Sequence, residues 1–289
     1  MDQQPLNGVL VVDKPSGLSS AAVVAKVRRA LKLDRAGHGG TLDPLATGVL
    51  PICLGPATKI AQYLLADDKA YEADARLGVE TDTLDRTGTV TAECAVAVTR
   101  DAVLAALAAR TGEHDQVPPM YSAIKQGGVP LYARARAGET VERAPRRVRI
   151  DRFELLAFDP PDLRVAIACS KGTYVRSLVA DVGRDLGCGA HLTELRRTRS
   201  GRFTLADAVP LDQVAELAAG RLIAPTAALD LPVVRISDEL VPKIVAGQQL
   251  PVELLGTSEA HFQIVDPAGE LRAVAHAEAG RVVYERVWA

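Results

Sequence analysis

Apolar residues recur along the chain with two periods. Between Lys69 and Leu77, Tyr71, Ala73, Ala75 and Leu77 alternate with Glu72, Asp74 and Arg76, the period of a strand with one buried face. Leu163, Val165, Ile167 and Cys169 repeat that alternation. Gly8 to Asp13 is apolar without a break until its last residue, as a buried strand is, and Lys14-Pro15-Ser16-Gly17 ends it in turn chemistry. Val23, Val27 and Leu31 come every four residues behind Ser19 and Ser20, either of which suits a helix N-cap. Thr58 takes the same position before Ile60, Leu64 and Leu65. Val103, Leu104 and Leu107 form the inward face expected of a helix from Asp101 to Arg110, closed by Gly112. Ser170 to Leu178 turns from a strand into a helix that Gly187 closes.

Pro210, Pro225 and Pro232 punctuate the chain further on, and a domain boundary is expected near Leu231. The division is 1–231 and 232–289. In the second part a helix is expected from Asp238 to Ala246, then three short strands, the last at Val282 to Val287. Asp266-Pro267-Ala268-Gly269 suits a hairpin connection. No internal repeat or low-complexity segment interrupts the chain.

Composition narrows the class. A chain of 289 residues with 48% hydrophobic and 24% charged residues is long enough for a substantial core and reads as an ordinary soluble protein. Lys and Arg number 34 against 36 Asp and Glu, a net charge of −2, which weighs against nucleic acid unless local patches supply the positive field. Two such patches stand out. Arg143, Arg146, Arg147, Arg149 and Arg152 face one acid, Asp151, and Arg196, Arg197, Arg199 and Arg202 face Glu194. Arg28, Arg29 and Lys32 fall near a helix C-terminus; the helix dipole accounts for them first, and phosphate contact is the alternative. Gln126 to Pro145, glycine-rich with Tyr132, Arg134 and Arg136, holds few apolar anchors and is expected to be mobile. Cys53, Cys94, Cys169 and Cys188 form no CxxC pair. The Cys188/His191 spacing has no second ligand pair, so no metal site is expected. Met1-Asp2-Gln3-Gln4 does not read as a leader and no run reaches the roughly 20 apolar residues of a membrane span, so cytoplasmic residence is the default.

One stretch carries candidate chemistry: Gly37-His38-Gly39-Gly40-Thr41-Leu42-Asp43-Pro44-Leu45-Ala46-Thr47-Gly48. Pro44 pushes Asp43 out of the helical region, and the neighbouring side chains are apolar. A carboxylate in such company is either a solvent-facing turn residue or one with a dedicated partner. The spacing alone does not name a reaction.

This stretch resembles the signature of the TruB-type tRNA pseudouridine synthases, in which the aspartate is catalytic. Asp13-Lys14-Pro15 with Gly17, the loop from Gly78 to Gly88, Val117 to Lys125, and Lys171-Gly172-Thr173-Tyr174-Val175-Arg176-Ser177-Leu178 resemble further blocks of that family, in order, across residues 8–230. The resemblance implies an α+β fold, a mixed and largely antiparallel sheet flanked by helices, with a small C-terminal β-rich module of the PUA type. It implies an RNA-binding insert over about 126–150. It implies catalysis by Asp43, with Tyr71 stacking on the extracted base and Arg176 pairing Asp43. His38 would enter the RNA loop, Lys125, Arg146, Arg147 and Arg196 would meet phosphates, Tyr174 would wall the pocket, and Leu195 would pack near the base. The implied substrate is the T stem-loop of tRNA at uridine 55, with no cofactor, no metal and no protein partner, the enzyme acting as a monomer.

Three alternatives compete. A guide-RNA-dependent catalytic subunit is the first, though the chain lacks long basic tails. A non-catalytic RNA-binding or RNA-folding protein is the second. The third is a glycosidase using a second carboxylate from Asp74, Asp82 or Asp85. The turn pattern of Thr81, Asp82, Thr83 and Asp85 is the simpler account of those acids.

Overall fold

The computed structural model describes residues 6–288, so the segment Met1 to Gln4, read above as lacking a leader, lies outside the described residues. The alternating and the continuous apolar runs become neighbours in one ten-stranded sheet. In chain order the strands of the first part are β1 (Gly8–Lys14), β2 (Ala36–His38), β3 (Thr47–Leu54), β4 (Lys69–Leu77), β5 (Val79–Thr81), β6 (Val90–Glu93), β7 (Gly112–Gln116), β8 (Lys125–Gln126), β9 (Val129–Pro130), β10 (Arg146–Asp159), β11 (Asp162–Cys169), β12 (Ala190–Ser200), β13 (Phe203–Thr204) and β14 (Val209–Pro210). The main sheet runs β14-β1-β3-β12-β4-β11-β10-β7, with β2 on β3 and β13 on β12. Only the β1–β14 and β3–β12 pairings in it are parallel. Helices α1 (Ser20–Ala30), α2 (Ala61–Leu65), α3 (Arg100–Ala109), α4 (Leu131–Arg136), α5 (Val175–Asp185) and α6 (Val214–Arg221) accompany it. None of the helices among the described residues is long and apolar enough to cross a membrane.

Burial explains the two sequence periods. In β4 the alternate residues Ala73, Ala75 and Leu77 face α3 and α5 through Val103, Leu107, Leu178, Val179 and Val182. β1 and β3 have both faces covered. Leu10, Val12, Leu50 and Ile52 meet α1 and α6 on one side, and Val9, Val11, Val49 and Cys53 meet a second cluster on the other. That second cluster includes Leu271, Val274 and Trp288 from the C-terminal sheet, whose strands β15 (Val233–Arg235), β16 (His261–Val265), β17 (Leu271–Glu278) and β18 (Arg281–Val287) lie in that order.

Several expectations are corrected. Ser19 caps α1, its side chain accepting from Ala22 N, but Thr58 caps nothing. Gly55–Ile60 is a 3-10 turn opened by Pro56, and the Thr58 hydroxyl turns back to the Gly55 carbonyl at 2.8 Å. Leu104 is 44% exposed, and Ala106 takes the inward place with Val103 and Leu107. Asp238 to Ala246 forms only a short helix at Val241–Val245, because Pro242 can stand in a first helical turn but not deeper. The region from Gln126 to Pro145 holds the β8–β9 hairpin and α4, with Leu131 as its one buried apolar residue.

Candidate active site

Asp43 stands in a turn closed by the Ala46 N–H, which donates to the Asp43 carbonyl at 3.1 Å. The backbone on both sides is held by side chains from distant parts of the chain. Ser20 Oγ accepts from Leu42 N at 2.8 Å and donates to Leu42 O at 3.0 Å. Lys14 Nζ, fully buried at the end of β1, donates to the carbonyls of Pro15, Pro44 and Ala46 at 2.9, 3.2 and 2.6 Å. Ser16 Oγ reaches Leu45 O at 3.0 Å. The turn has no regular ladder of its own, and these donors replace one.

Arg197, 1% exposed on β12, works from beneath. Its guanidinium donates to the carbonyls of Val49, Thr41 and Gly40 at 2.7, 3.2 and 3.3 Å and lies against the Tyr71 hydroxyl. β12 reaches β3 here because residue 48 is glycine. Its φ is +100°, and a Cβ would stand 2.2 Å from the Arg197 carbonyl oxygen.

Arg176 lies in the first turn of α5 and is 4% exposed. Tyr174 at the N-cap has no side-chain cap bond. Instead the buried Gln116 grips its backbone, donating to Tyr174 O at 3.1 Å and accepting from Tyr174 N at 2.8 Å. Arg176 then makes four contacts. Nε donates to Asp43 Oδ2 at 2.8 Å and stands 3.7 Å from Asp85 Oδ2, while Nη1 and Nη2 donate to the carbonyls of Thr83 and Tyr121 at 2.9 and 2.8 Å. A buried guanidinium is stable only when its donors are met, and here two carboxylates and two carbonyls meet them. The Asp43 side chain is 30% exposed against 4% for its partner, so the pair shows its carboxylate to solvent and hides its cation.

Burial sets the remaining titrations. It pushes the hydroxyl of Tyr71 up to about 12, while Arg197 beside it acts in the opposite direction. It brings Lys14 down to about 8, with the nearby Asp43 acting to raise it and Arg197 acting with burial. It also lowers His38, again with Arg197 contributing, and raises Tyr174.

The structure gathers Asp43, Tyr71, Arg176 and Tyr174 at the junction of β4, the Asp43 turn and α5. Leu195 is 7% exposed and shares a cluster with Leu42, Leu45 and Tyr71. His38 is placed on β2 rather than in a turn, with Ile52 opposite it. Lys125 and Arg146 are exposed, and neither makes an ion pair among the described residues.

In the two basic patches, four of the nine arginines stand against acids. Arg147 pairs with Glu113, Arg149 with Asp68 and Asp151, Arg152 with Glu154, and Arg196 with Asp13 through two bonds of 3.1 and 2.8 Å. Arg197 is interior, and Arg199 and Arg202 donate to the Gly201 and Ala227 carbonyls. The partners Glu113, Asp68 and Asp13 come from distant segments, whereas Asp151 and Glu154 lie two residues from the arginines they meet.

Two residues at the site were given other roles in the sequence reading. Asp85, 4% exposed, sits in the loop between β5 and β6 that was read as a polar turn. Its Oδ1 accepts from Thr83 Oγ1, Thr87 N and Thr87 Oγ1 at 2.9, 2.9 and 2.6 Å, which leaves Oδ2 toward Arg176. Three threonines around one acid, Thr81, Thr83 and Thr87, were the available signal. Arg197 gave none, since nothing local distinguishes it from its neighbours.

Comparison with known proteins bears on this arrangement. The TruB family pseudouridylate synthase (N terminal domain) matches residues 28–175, and the tRNA pseudouridylate synthase B C-terminal domain matches residues 176–228. The tRNA pseudouridine synthase B of Aromatoleum aromaticum is 56% identical over 227 residues, 78% of this chain and 74% of that one. The protein of the same name from Ralstonia nicotianae is 47% identical over 280 residues, 94% and 89% of the two chains. Among solved structures, a crystal structure of a Cbf5-Nop10-Gar1 complex superposes with a TM-score of 0.77 at 30% identity, covering 98% of this chain and 85% of that chain. An H/ACA RNP bound to a substrate RNA containing 2'-deoxyuridine gives 0.73 at 28% identity, covering 98% and 85%.

Proposed function

Since the chain belongs to the TruB family of pseudouridylate synthases, we propose that it isomerises uridine 55 in the T loop of tRNA to pseudouridine, with Asp43 as the catalytic residue. The observation that carries this is the Asp43–Arg176 pair, a carboxylate open to solvent on a cation that is not. The reaction breaks the bond between ribose C1′ and uracil N1, turns the base, and joins C1′ to C5. The proton lost from C5 is balanced by one gained at N1, so no redox step and no group donor enter. Asp43 acts on the sugar, as nucleophile or as base. Arg176 holds it in place, and Asp85 shares the cation. Tyr71 stacks on the base with its hydroxyl beside Arg197. Leu195 packs at the base edge, and Tyr174 walls the pocket.

A uridine inside a folded loop is out of reach of this carboxylate, so it is flipped out at a cost of a few kcal/mol. His38, Lys125 and Arg146 stand on elements flanking the site, and contacts from them to the RNA offset that cost. The enzyme works as a cytoplasmic monomer without a guide RNA or protein partner. Relatives at 47–56% identity named tRNA pseudouridine synthase B support this over the guide-dependent reading, because the ribonucleoprotein structures stand at 28–30%.

The test is chemical mapping of pseudouridine in unmodified tRNA after incubation with the purified protein. Wild type is expected to modify position 55 alone. Asp43→Asn should form under about a hundredth of the product while binding tRNA within a few-fold of wild type. Absence of product with wild type refutes the reading, and turnover by a deamidation-free Asp43→Asn refutes the role of Asp43.

A further inference from the structure

Five exposed cations without an ion-pair or hydrogen-bond partner among the described residues lie together on α1 and the loop that follows it. Lys26, Arg28, Arg29, Lys32 and Arg35 are all exposed, and none of their side chains makes an ion pair or hydrogen bond within the described residues. Asp34 is the one acid among them. This contrasts with the segments 143–152 and 196–202, where most arginines already have partners.

The position of α1 ties this strip to the site. The helix begins where Ser20 holds both backbone groups of Leu42, one residue before Asp43. Val23 and Val27 bury its inner face against β1 and β3, which turns Lys26, Arg28 and Arg29 outward. Eleven residues carry the helix about 16 Å from Leu42, and β2 brings the chain back along it to Gly39. The exposed cations therefore begin at Lys26, about 9 Å along the helix from its start beside Leu42, and continue to Arg35.

We infer that the outer face of α1 and the Leu31–Arg35 loop form a phosphate-binding track for the tRNA backbone leading away from the flipped uridine, with Arg28 and Arg29 as its principal contacts. The inference rests on the tRNA reading above. The helix dipole accounts for cations at the last turn of α1, but it gives no role to Lys26 on the preceding turn or to Arg35 beyond the end. A polyanion engages all five.

The experiment compares Arg28→Gln/Arg29→Gln with a charge-matched control, Arg76→Gln/Arg164→Gln. The control removes two exposed arginines that are paired with Asp162 and Asp74. Binding of unmodified tRNA is measured across a salt series, and single-turnover pseudouridine formation is measured at saturating tRNA. The α1 variant is expected to bind at least fivefold more weakly near 0.1 M salt. Its slope of log affinity against log salt should be shallower by about one to two, since each lost phosphate contact removes about 0.7–0.9. Its saturated rate should match wild type, and the control should stay within about twofold in affinity. Arg28→Lys/Arg29→Lys should restore most of the affinity. Wild-type affinity and slope in the α1 variant overturn the inference, as does equal weakening in the control. A fall in Tm with unchanged RNA binding assigns the arginines to the helix dipole and overturns it too. If wild type itself forms no pseudouridine, the functional reading has failed, which is a separate result.

Discussion

Arg176 shows how much a single side chain carries. Its guanidinium bridges Asp43, Asp85 and the carbonyls of Thr83 and Tyr121, so it joins three separate loops at the carboxylate. Lysine keeps the charge but not the planar fork, and cannot meet four acceptors at once. Arg176→Lys should fold, bind tRNA within a few-fold of wild type, and lose at least 100-fold in single-turnover rate. Arg176→Ala should in addition lose about 3–5 kcal/mol of stability, because it strands the buried Asp85. Lysine-variant rates within tenfold of wild type, measured by rapid quench, would show that charge alone suffices and that the fork geometry is idle.

At the scale of the element, the Asp43 turn is a loop kept in shape from outside. Lys14 contributes three hydrogen bonds, yet burial brings its amine down to about 8 from an ordinary value of 10.5. The unfolded chain holds that proton until about pH 10.5, whereas the folded protein releases it near 8. Between these values the unfolded state binds more protons, so this group's contribution to stability becomes more favourable as pH rises through the window and is constant below it. Denaturant unfolding of wild type and Lys14→Met from pH 7 to 10.5 should therefore show the difference moving toward wild type above pH 8. Parallel curves would mean that the amine titrates normally and the carbonyls are held by something else. Lys14→Met should also slow the chemical step, since Pro44 and Ala46 lose their donor.

At the scale of the whole molecule, the C-terminal sheet completes the core as well as extending the surface. Leu271, Val274 and Trp288 cover the outer face of β1 and β3, the Trp288 indole donates to Pro56 O, and Gln263 donates to Thr226 O and Leu231 O. A fully buried large apolar side chain contributes about 1.5–3 kcal/mol. Truncation after Leu231 should therefore cost on the order of 5 kcal/mol and lower Tm by more than about 5 °C, besides weakening tRNA binding. A truncate with wild-type Tm would show that Val9, Val49 and Cys53 need no cover. Single-turnover rates at saturating tRNA, taken at a temperature where the truncate remains folded, should stay near wild type, because every proposed catalytic residue precedes position 231.

The strands and helices whose apolar period is strong, β1, β4, β11, α1 and α5 among them, were legible from the residues alone, because burial on one face or two leaves a periodic record in the side chains themselves. The family was legible as well, since the Gly37 to Gly48 stretch and the blocks at Lys14, Lys125 and Arg176 are long enough to be specific. Which charges have partners emerged only from the folded chain. Arg147 and Arg196 looked available in sequence and are paired with Glu113 and Asp13 across strands. Arg28 and Arg29 looked like helix-end residues and lie open. That Asp85 joins the site and that Arg197 supports it from below emerged there too. The physical reason is common to all of these. Hydrophobic burial is written locally in the spacing of side chains, whereas an ion pair depends on where two segments far apart in the chain are brought together.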